Sequence, residues 1–103
     1  MNPYKKRKPS LNDTYGKIPP QDTDIETAVI GALMIDANCL TIGMSKLFPE
    51  IFYKDSHNLT FHAIEKIYDK GLPVDILTVI DQLRKDGNLE LVGGAYCITK
   101  MTN

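Results

Sequence analysis

Two histidines and two cysteines are the side chains of this sequence best suited to bind a metal ion or carry a proton. His57 and His62 are five residues apart, so on a helix their side chains would point about 140° apart and could not share one metal ion. Cys39 and Cys97 belong to no CxxC motif and have no histidine at the spacing of a zinc site. We therefore predict structural roles for both histidines, with His57 buried and hydrogen-bonded, and buried packing positions for both cysteines.

The aspartates with a clear local role lie at expected helix boundaries. Asp22, Asp36 and Asp75 are placed where a carboxylate can accept hydrogen bonds from the first free amides of a helix. For the first helix, Thr23 and Glu26 have the spacing of a capping box, and Asp22 is the alternative N-cap. The sequence contains none of the motifs GxxxxGK[ST], GxGxxG, GxSxG or HExxH. These observations predict that the chain has no catalytic, cofactor-binding or metal-binding residues of its own.

Composition favours a single domain with an uneven distribution of charge. With 103 residues, of which 43% are hydrophobic and 24% charged, the chain can form one compact core. Residues 1–20 carry a net charge of +4, so the rest of the chain, whose overall charge is −1, sums to −5. We predict a flexible basic arm over residues 1–20 and a helical domain over residues 21–103. Neither a membrane span nor a secretory signal is recognisable, so we expect a cytoplasmic protein.

The apolar residues after the arm repeat with the period of an α-helix. In the first predicted helix, Gly31 lowers the helix propensity, and we expect it to permit the close approach of a neighbouring helix. Asn38 is expected to cap a second helix, which Pro49 ends. The expected core-facing stripe of the first helix consists of Ile25, Ala28, Val29, Ala32 and Leu33.

The remaining sequence predicts three more helices. The segment Ile51-Phe52-Tyr53 is expected to fill the core between helices, and Gly71 and Gly87 are placed to end the third and fourth helices in the left-handed conformation. A fifth helix is expected to begin at Gly93-Gly94. Short connections predict an all-α fold, a compact orthogonal bundle of about five short helices. The expected inward positions after the first helix are Leu40, Met44, Leu47 and Phe48; Thr60, Phe61, Ile64, Ile67 and Tyr68; Ile76, Val79, Ile80 and Leu83; and Ala95, Ile98 and Met101.

Four blocks of sequence follow one another over about eighty residues. The blocks are Pro19-Pro20 with Glu26-Thr27-Ala28-Val29-Ile30-Gly31-Ala32-Leu33-Met34; Leu47-Phe48-Pro49 with Phe52-Tyr53, His57 and Phe61; Gly71-Leu72-Pro73-Val74-Asp75 with Thr78; and Gly87 and Leu89 with Val92-Gly93-Gly94-Ala95-Tyr96. No single block is specific, but together and in this order they resemble the N-terminal domain of the DnaB-type replicative DNA helicases.

This resemblance carries expectations about assembly and chemistry. It implies a helical bundle that associates with copies of itself as a dimer and as the collar of a hexameric ring, and that contacts primase and, in some members, the helicase loader. ATP and Mg²⁺ would be cofactors of a separate RecA-like motor domain, which is expected beyond residue 103 together with a helical hairpin. DNA would be bound only by the full-length protein. No enzyme activity is therefore expected of these 103 residues.

The resemblance also implies that the last predicted helix contributes to an interface. The hairpin would normally cover apolar residues that follow Gly93, and the candidate interface residues are therefore Tyr96, Ile98 and Met101.

The main alternative is a helix-turn-helix DNA-binding regulator, suggested by a helix, a glycine and a short apolar turn over residues 75–92. That helix would offer Gln82, Arg84 and Lys85 to a DNA groove, but Asp81 and Asp86 lie beside them. Such a composition is poorly suited to base recognition.

Overall fold

The computed structural model describes residues 22–103, so the predicted arm over residues 1–20 lies outside the described residues. This part of the chain contains helices and no strand, which confirms the prediction of an all-α fold with five α-helices. The elements are α1 (Thr23–Ile35), α2 (Ala37–Lys46), a 3₁₀ helix η1 (Pro49–Ile51), α3 (Asp55–Asp69), α4 (Ile76–Lys85) and α5 (Gly94–Lys100).

Aspartate side chains cap three of these helices, as predicted. Asp22 accepts a hydrogen bond from the amide of Ile25 at 3.1 Å, and Asp75 forms a reciprocal capping box with Thr78. Asp36 adopts an extended backbone between α1 and α2 and accepts the amide of Asn38 at 2.8 Å. The prediction that Asn38 caps the second helix is therefore wrong, because Asp36 already turns the chain and α2 begins one residue before Asn38.

The ends of α3 and α4 use the predicted glycines. Gly71 and Gly87 have φ values of 73° and 78°, a left-handed conformation that glycine adopts without strain. After α3, the amide of Leu72 donates to the carbonyl of Ile67 at 3.2 Å, and an equivalent bond follows α4. Both ends thus satisfy carbonyls that the helix leaves free.

The core is built around α3, which packs against α1, η1 and α4, while α2 packs on α1 and α5 on α4. The rings of Phe52 and Phe61 lie 5.2 Å apart between centroids and join η1 to α3. The buried apolar residues are Ile30, Leu33, Met34, Phe52, Phe61, Ala63, Ile64, Ile67, Val79, Ile80, Leu83, Val92 and Ile98.

The predicted core stripe of α1 is rotated by one residue, about 100° around the helix. Ile25 is 43% exposed and Ala28 is also exposed, whereas Val29 and Ala32 are half-buried. The helix is apolar on most of its faces, so periodicity alone did not select the side that faces the core. The residues that α1 buries are Glu26, Ile30, Gly31, Leu33 and Met34.

Gly31 has the role that its position predicts. A Cβ atom at this position would collide with the backbone carbonyl of Met101, in the turn after α5. The residue therefore lets the end of α5 approach α1 closely, and a larger side chain would separate the two.

Several single residues differ from the predictions. Tyr68 of α3 is 38% exposed and Tyr53 is 62% exposed, so neither belongs to the core. Ala95 of α5 also faces solvent. Cys97 is exposed and Cys39 only half-buried, which corrects the expectation that both cysteines are buried.

Candidate interaction surface

The last helix, α5, packs against α4 and buries little of its own surface. Gly93 and Gly94, with φ values of 99° and 83°, lead the chain into it. Within α5 only Ile98 is buried, and Leu91, just before the helix, is 69% exposed. Most of the surface of this helix is therefore available for contact.

The three predicted interface residues occupy different environments. Tyr96 is 71% exposed, and its ring lies 5.3 Å from Nζ of Lys100, a weak cation–π contact within the helix. Met101 is half-buried and packs against the core. Ile98 is 0% exposed. Ile98 is thus a core anchor of α5, and Tyr96 is the candidate that the surface presents most fully.

An apolar groove that the sequence did not predict runs between α1 and α2. Its volume is about 280 Å³, and it exposes Ile42 to 57%. Val29 and Ala32, which were predicted to face the core, are half-buried and line this groove. The lining residues are Val29, Ala32, Leu33, Cys39, Ile42, Gly43, Lys46 and Leu47.

A second, wider groove of about 790 Å³ separates the α1–α2 corner from the α3–α4 connection. Ile35, Tyr68 and Leu72 line it and are 65%, 38% and 55% exposed. The charged residues in its lining are Asp36 and Asp75, the two helix caps described above. Both grooves are apolar recesses of the kind that proteins use for contact with partners.

A polar cluster lies inside the domain, where α1 meets the start of α3. His57 and Glu26 are 2% and 6% exposed, and Nδ1 of the imidazole lies 2.8 Å from Oε1 of the carboxylate. The same carboxylate accepts backbone amides from Tyr53 at 2.6 Å and Lys54 at 3.3 Å. On the other side, Nε2 of His57 lies 3.2 Å from the hydroxyl of Thr27. The cluster fastens the connector between η1 and α3 to α1.

This arrangement confirms the structural role predicted for His57 and reveals one for Glu26. The spacing of Thr23 and Glu26 suggests a capping box, but the carboxylate turns into the core and bonds residues 27 to 31 positions away. The sequence does contain a signal for this buried role, because Glu26 lies on the same helix face as the apolar residues Ile30 and Leu33. His62, by contrast, is exposed on α3.

No group of three or more metal-ligating side chains occurs among residues 22–103. Likewise, none of the helices in this described part of the chain is both long and apolar enough to cross a membrane.

The helical core and the exposed apolar surfaces define a small all-α domain whose surface is suited to contact with other proteins. The family model of the DnaB-like helicase N terminal domain matches residues 18–103, and the chain belongs to this family. This assignment takes the place of the helix-turn-helix alternative.

Individual relatives agree with the family assignment. The replicative DNA helicase DnaB of Rhodothermus marinus is 34% identical over 93 residues, which cover 90% of this chain and 10% of that protein. The replicative DNA helicase DnaC of Bacillus subtilis (strain 168) is 38% identical over 93 residues, which cover 90% of this chain and 20% of that protein. The chain therefore spans a tenth to a fifth of the length of these relatives.

A solved structure has the same fold. The crystal structure of the N-terminal domain of DnaB helicase from Mycobacterium tuberculosis matches with a TM-score of 0.77 and 30% sequence identity, over 82% of this chain and 59% of that chain.

Proposed function

We propose that this chain is the assembly and docking domain of a cytoplasmic replicative DNA helicase. In this role it associates with copies of itself in the collar of a hexamer and offers a surface to primase and, secondarily, to a helicase loader. ATP-driven unwinding, with ATP and Mg²⁺ as cofactors, belongs to a RecA-like domain of the full-length helicase. The chain itself performs no catalysis.

The observation that carries this proposal is the combination of family membership with a peripheral α5. Tyr96 and Leu91 leave about seven-tenths of their surface in solvent, although large apolar side chains gain free energy when they are removed from water. Aromatic residues are enriched at the centres of protein interfaces, where one ring supplies much of the binding energy. Tyr96 is therefore the residue that we assign to the contact.

Binding of bacterial primase to the purified chain tests the proposal directly. We expect wild-type protein to bind, and Tyr96→Ala to weaken binding by at least tenfold, because loss of an aromatic residue that dominates an interface costs about 2 kcal/mol or more, and about 1.4 kcal/mol is already tenfold. Leu77→Ala is the matched control, since Leu77 is a similarly exposed apolar residue, 77% exposed, in the first turn of α4. Equal losses in the two variants would show that Tyr96 is not the contact residue.

Two further outcomes would overturn the broader assignment. Sedimentation should show concentration-dependent self-association of the chain, and a monomer at every concentration would remove self-association from its functions. Sequence-dependent binding of duplex DNA, together with no binding of primase, would replace the docking function with the regulatory alternative.

A further inference from the structure

The wider groove, between the α1–α2 corner and the α3–α4 connection, presents apolar side chains beside two carboxylates. Ile35 is 65% exposed and Leu72 is 55% exposed, and both line this groove of about 790 Å³. Removal of such side chains from water lowers the free energy. A segment that brings apolar groups of its own into the groove is therefore stabilised there.

The charge of the wider groove is negative. Its charged lining residues are Asp36 and Asp75, both exposed, and each uses Oδ1 to cap its helix. Within residues 22–103, neither carboxylate forms an ion pair. Lys70 is not a lining residue, and its charge acts on Asp86, at the other end of α4 from Asp75. The two carboxylates are thus available to a positively charged segment.

The narrower groove between α1 and α2 has the opposite charge. Its charged lining residue is Lys46, which repels a basic segment, whereas the carboxylates of the wider groove attract one. Charge therefore distinguishes two recesses that are both apolar.

The chain itself contains a segment of complementary composition before α1. Residues 1–20 carry a net charge of +4, and the basic run Lys5-Lys6-Arg7-Lys8 lies between the apolar residues Tyr4 and Leu11. Long basic side chains can also cover apolar surface with their methylene groups while the charged end stays in water. This segment can therefore meet both the apolar side chains and the carboxylates of the groove.

The connection to α1 is long enough for this segment to reach the groove. The arm joins the described structure at Asp22, and Ile35, in the groove, lies at the opposite end of α1. The 13 residues of α1 span about 20 Å, whereas an extended chain from Leu11 to Asp22 spans about 35 Å. A segment tethered over such a distance meets its own groove at an effective concentration on the order of 1 mM. The tether thus favours the same molecule over a second copy in dilute solution.

We propose that residues 4–11 dock in the wider groove of the same molecule. Leu11 packs against Ile35 and Leu72, and the basic run lies beside the two carboxylates of the groove. A protein that uses this groove must first displace the segment. The contact is independent of the docking function proposed for α5.

Methyl NMR of the full chain tests the contact directly. We expect nuclear Overhauser effects between the methyl groups of Leu11 and those of Ile35 or Leu72, and we expect them at every protein concentration. Ile42, which is 57% exposed in the narrower groove, is the control and should show no such effect with Leu11. The proposal is wrong if Leu11 contacts Ile42 instead, if it contacts neither groove, or if its contacts appear only at high concentration, which would indicate a second copy.

Removal of the two carboxylate charges tests the electrostatic contribution. Asparagine caps a helix about as well as aspartate, so the double variant Asp36→Asn/Asp75→Asn keeps both caps and loses both charges. The Overhauser effects of Leu11 should fall by more than half. The matched control is Glu50→Gln/Glu90→Gln, which removes the same charge from exposed residues outside the groove lining and should leave these effects unchanged. Equal losses in the two double variants would show that only the net charge of the domain matters, and would overturn the assignment to this groove.

A salt titration of the wild type separates charge from apolar contact. Exposed charges are screened more strongly as salt increases, so the Overhauser effects of Leu11 should weaken between about 0.05 M and about 0.5 M NaCl. Effects that stay constant over this range would show that apolar packing alone holds the segment, and would overturn the role of the basic run.

Discussion

The helices α3 and α5 differ in how they are attached to the domain. Of the 15 residues of α3, six are buried, and the helix packs against three other elements. Of the seven residues of α5, only Ile98 is buried. A helix as short as α5 is marginal by itself in water and depends on tertiary contacts. The difference indicates that α3 supplies stability, whereas α5 is held by a few contacts and leaves its surface for partners.

Substitution of the central aromatic residue of α3 should have the largest effect. Phe61 is 0% exposed and packs on Phe52, so Phe61→Ala should lower the free energy of unfolding by about 3–5 kcal/mol. That is a large share of the stability of a small domain. Urea denaturation measures the change, with His62→Ala as control, because the neighbouring exposed residue should change stability by less than about 0.5 kcal/mol. Similar values for the two variants would contradict the central role of α3.

Loss of the single anchor of α5 should have a smaller and more local effect. Ile98→Ala should cost about 2 kcal/mol, at the lower end of the range for such truncations, because α5 can detach without unfolding α3. Hydrogen exchange should accelerate throughout α5 and remain slow in α3. Tyr96→Ala is the control on the same helix. Uniform acceleration in both helices would mean that α5 is as firmly integrated as α3.

The contact between α1 and the end of α5 can be changed through one glycine. In Gly31→Ala the new methyl group meets the backbone of Met101, which must move. We expect a net loss of about 1 kcal/mol, because the overpacking cost exceeds the gain in helix propensity. In Gly43→Ala on α2, the added Cβ would lie 2.5 Å from Cδ2 of Leu33, a side-chain end that can rotate away. This variant should be nearly neutral, and equal losses would show that the backbone contact is unimportant.

Local signals account for the parts of the fold that the sequence predicts well. The caps at Asp22 and Asp75 and the left-handed glycines Gly71 and Gly87 act within a few residues, so their effects can be recognised in the sequence. The face of α1 could not be chosen in this way. Its apolar residues surround the helix, and the decision depends on α3, whose contacting residues lie some thirty positions later along the chain.

The candidate interaction surface also has features that local sequence predicts and features that depend on contacts between distant elements. The exposure of Tyr96 follows from the position of α5 after the glycine pair, and sequence analysis identifies this residue. The roles of Glu26 and Ile98 depend on partners in other elements. The groove at Ile42 likewise exists only because of how α2 lies on α1, so no local pattern predicts it.

The hydrogen bonds of Asp86 connect the end of α4 to α3. Their loss should cause the smallest change in the free energy of unfolding, and that change should depend on pH. Nζ of Lys66 and Nε2 of Gln82 lie 3.0 and 2.9 Å from Oδ1 of Asp86. Burial alone would raise the pKa of Asp86, but the hydrogen bonds from Lys66 and Gln82 and the positive charges of Lys66 and Lys70 outweigh it. The pKa of Asp86 consequently lies below its ordinary value of 3.8.

A lowered pKa in the folded state means that ionised Asp86 stabilises the fold above its ordinary pKa, and that this contribution disappears as the pH falls through the folded-state pKa. Asp86→Asn should therefore be less stable than the wild type at neutral pH, by less than about 1 kcal/mol, because Lys66 is half exposed and solvent screens the pair. Urea denaturation of both proteins between neutral pH and about pH 3 should show the difference shrinking towards the acid end. Asp81→Asn is the matched control, since the ion pairs of Asp81 within residues 22–103 are with Arg84 and Lys85 of its own helix and its side chain is 50% exposed. Because α5 takes no part in this link, its hydrogen exchange should be equal in Asp86→Asn and the wild type, and acceleration there would contradict the independence of α5 from the α3–α4 pair.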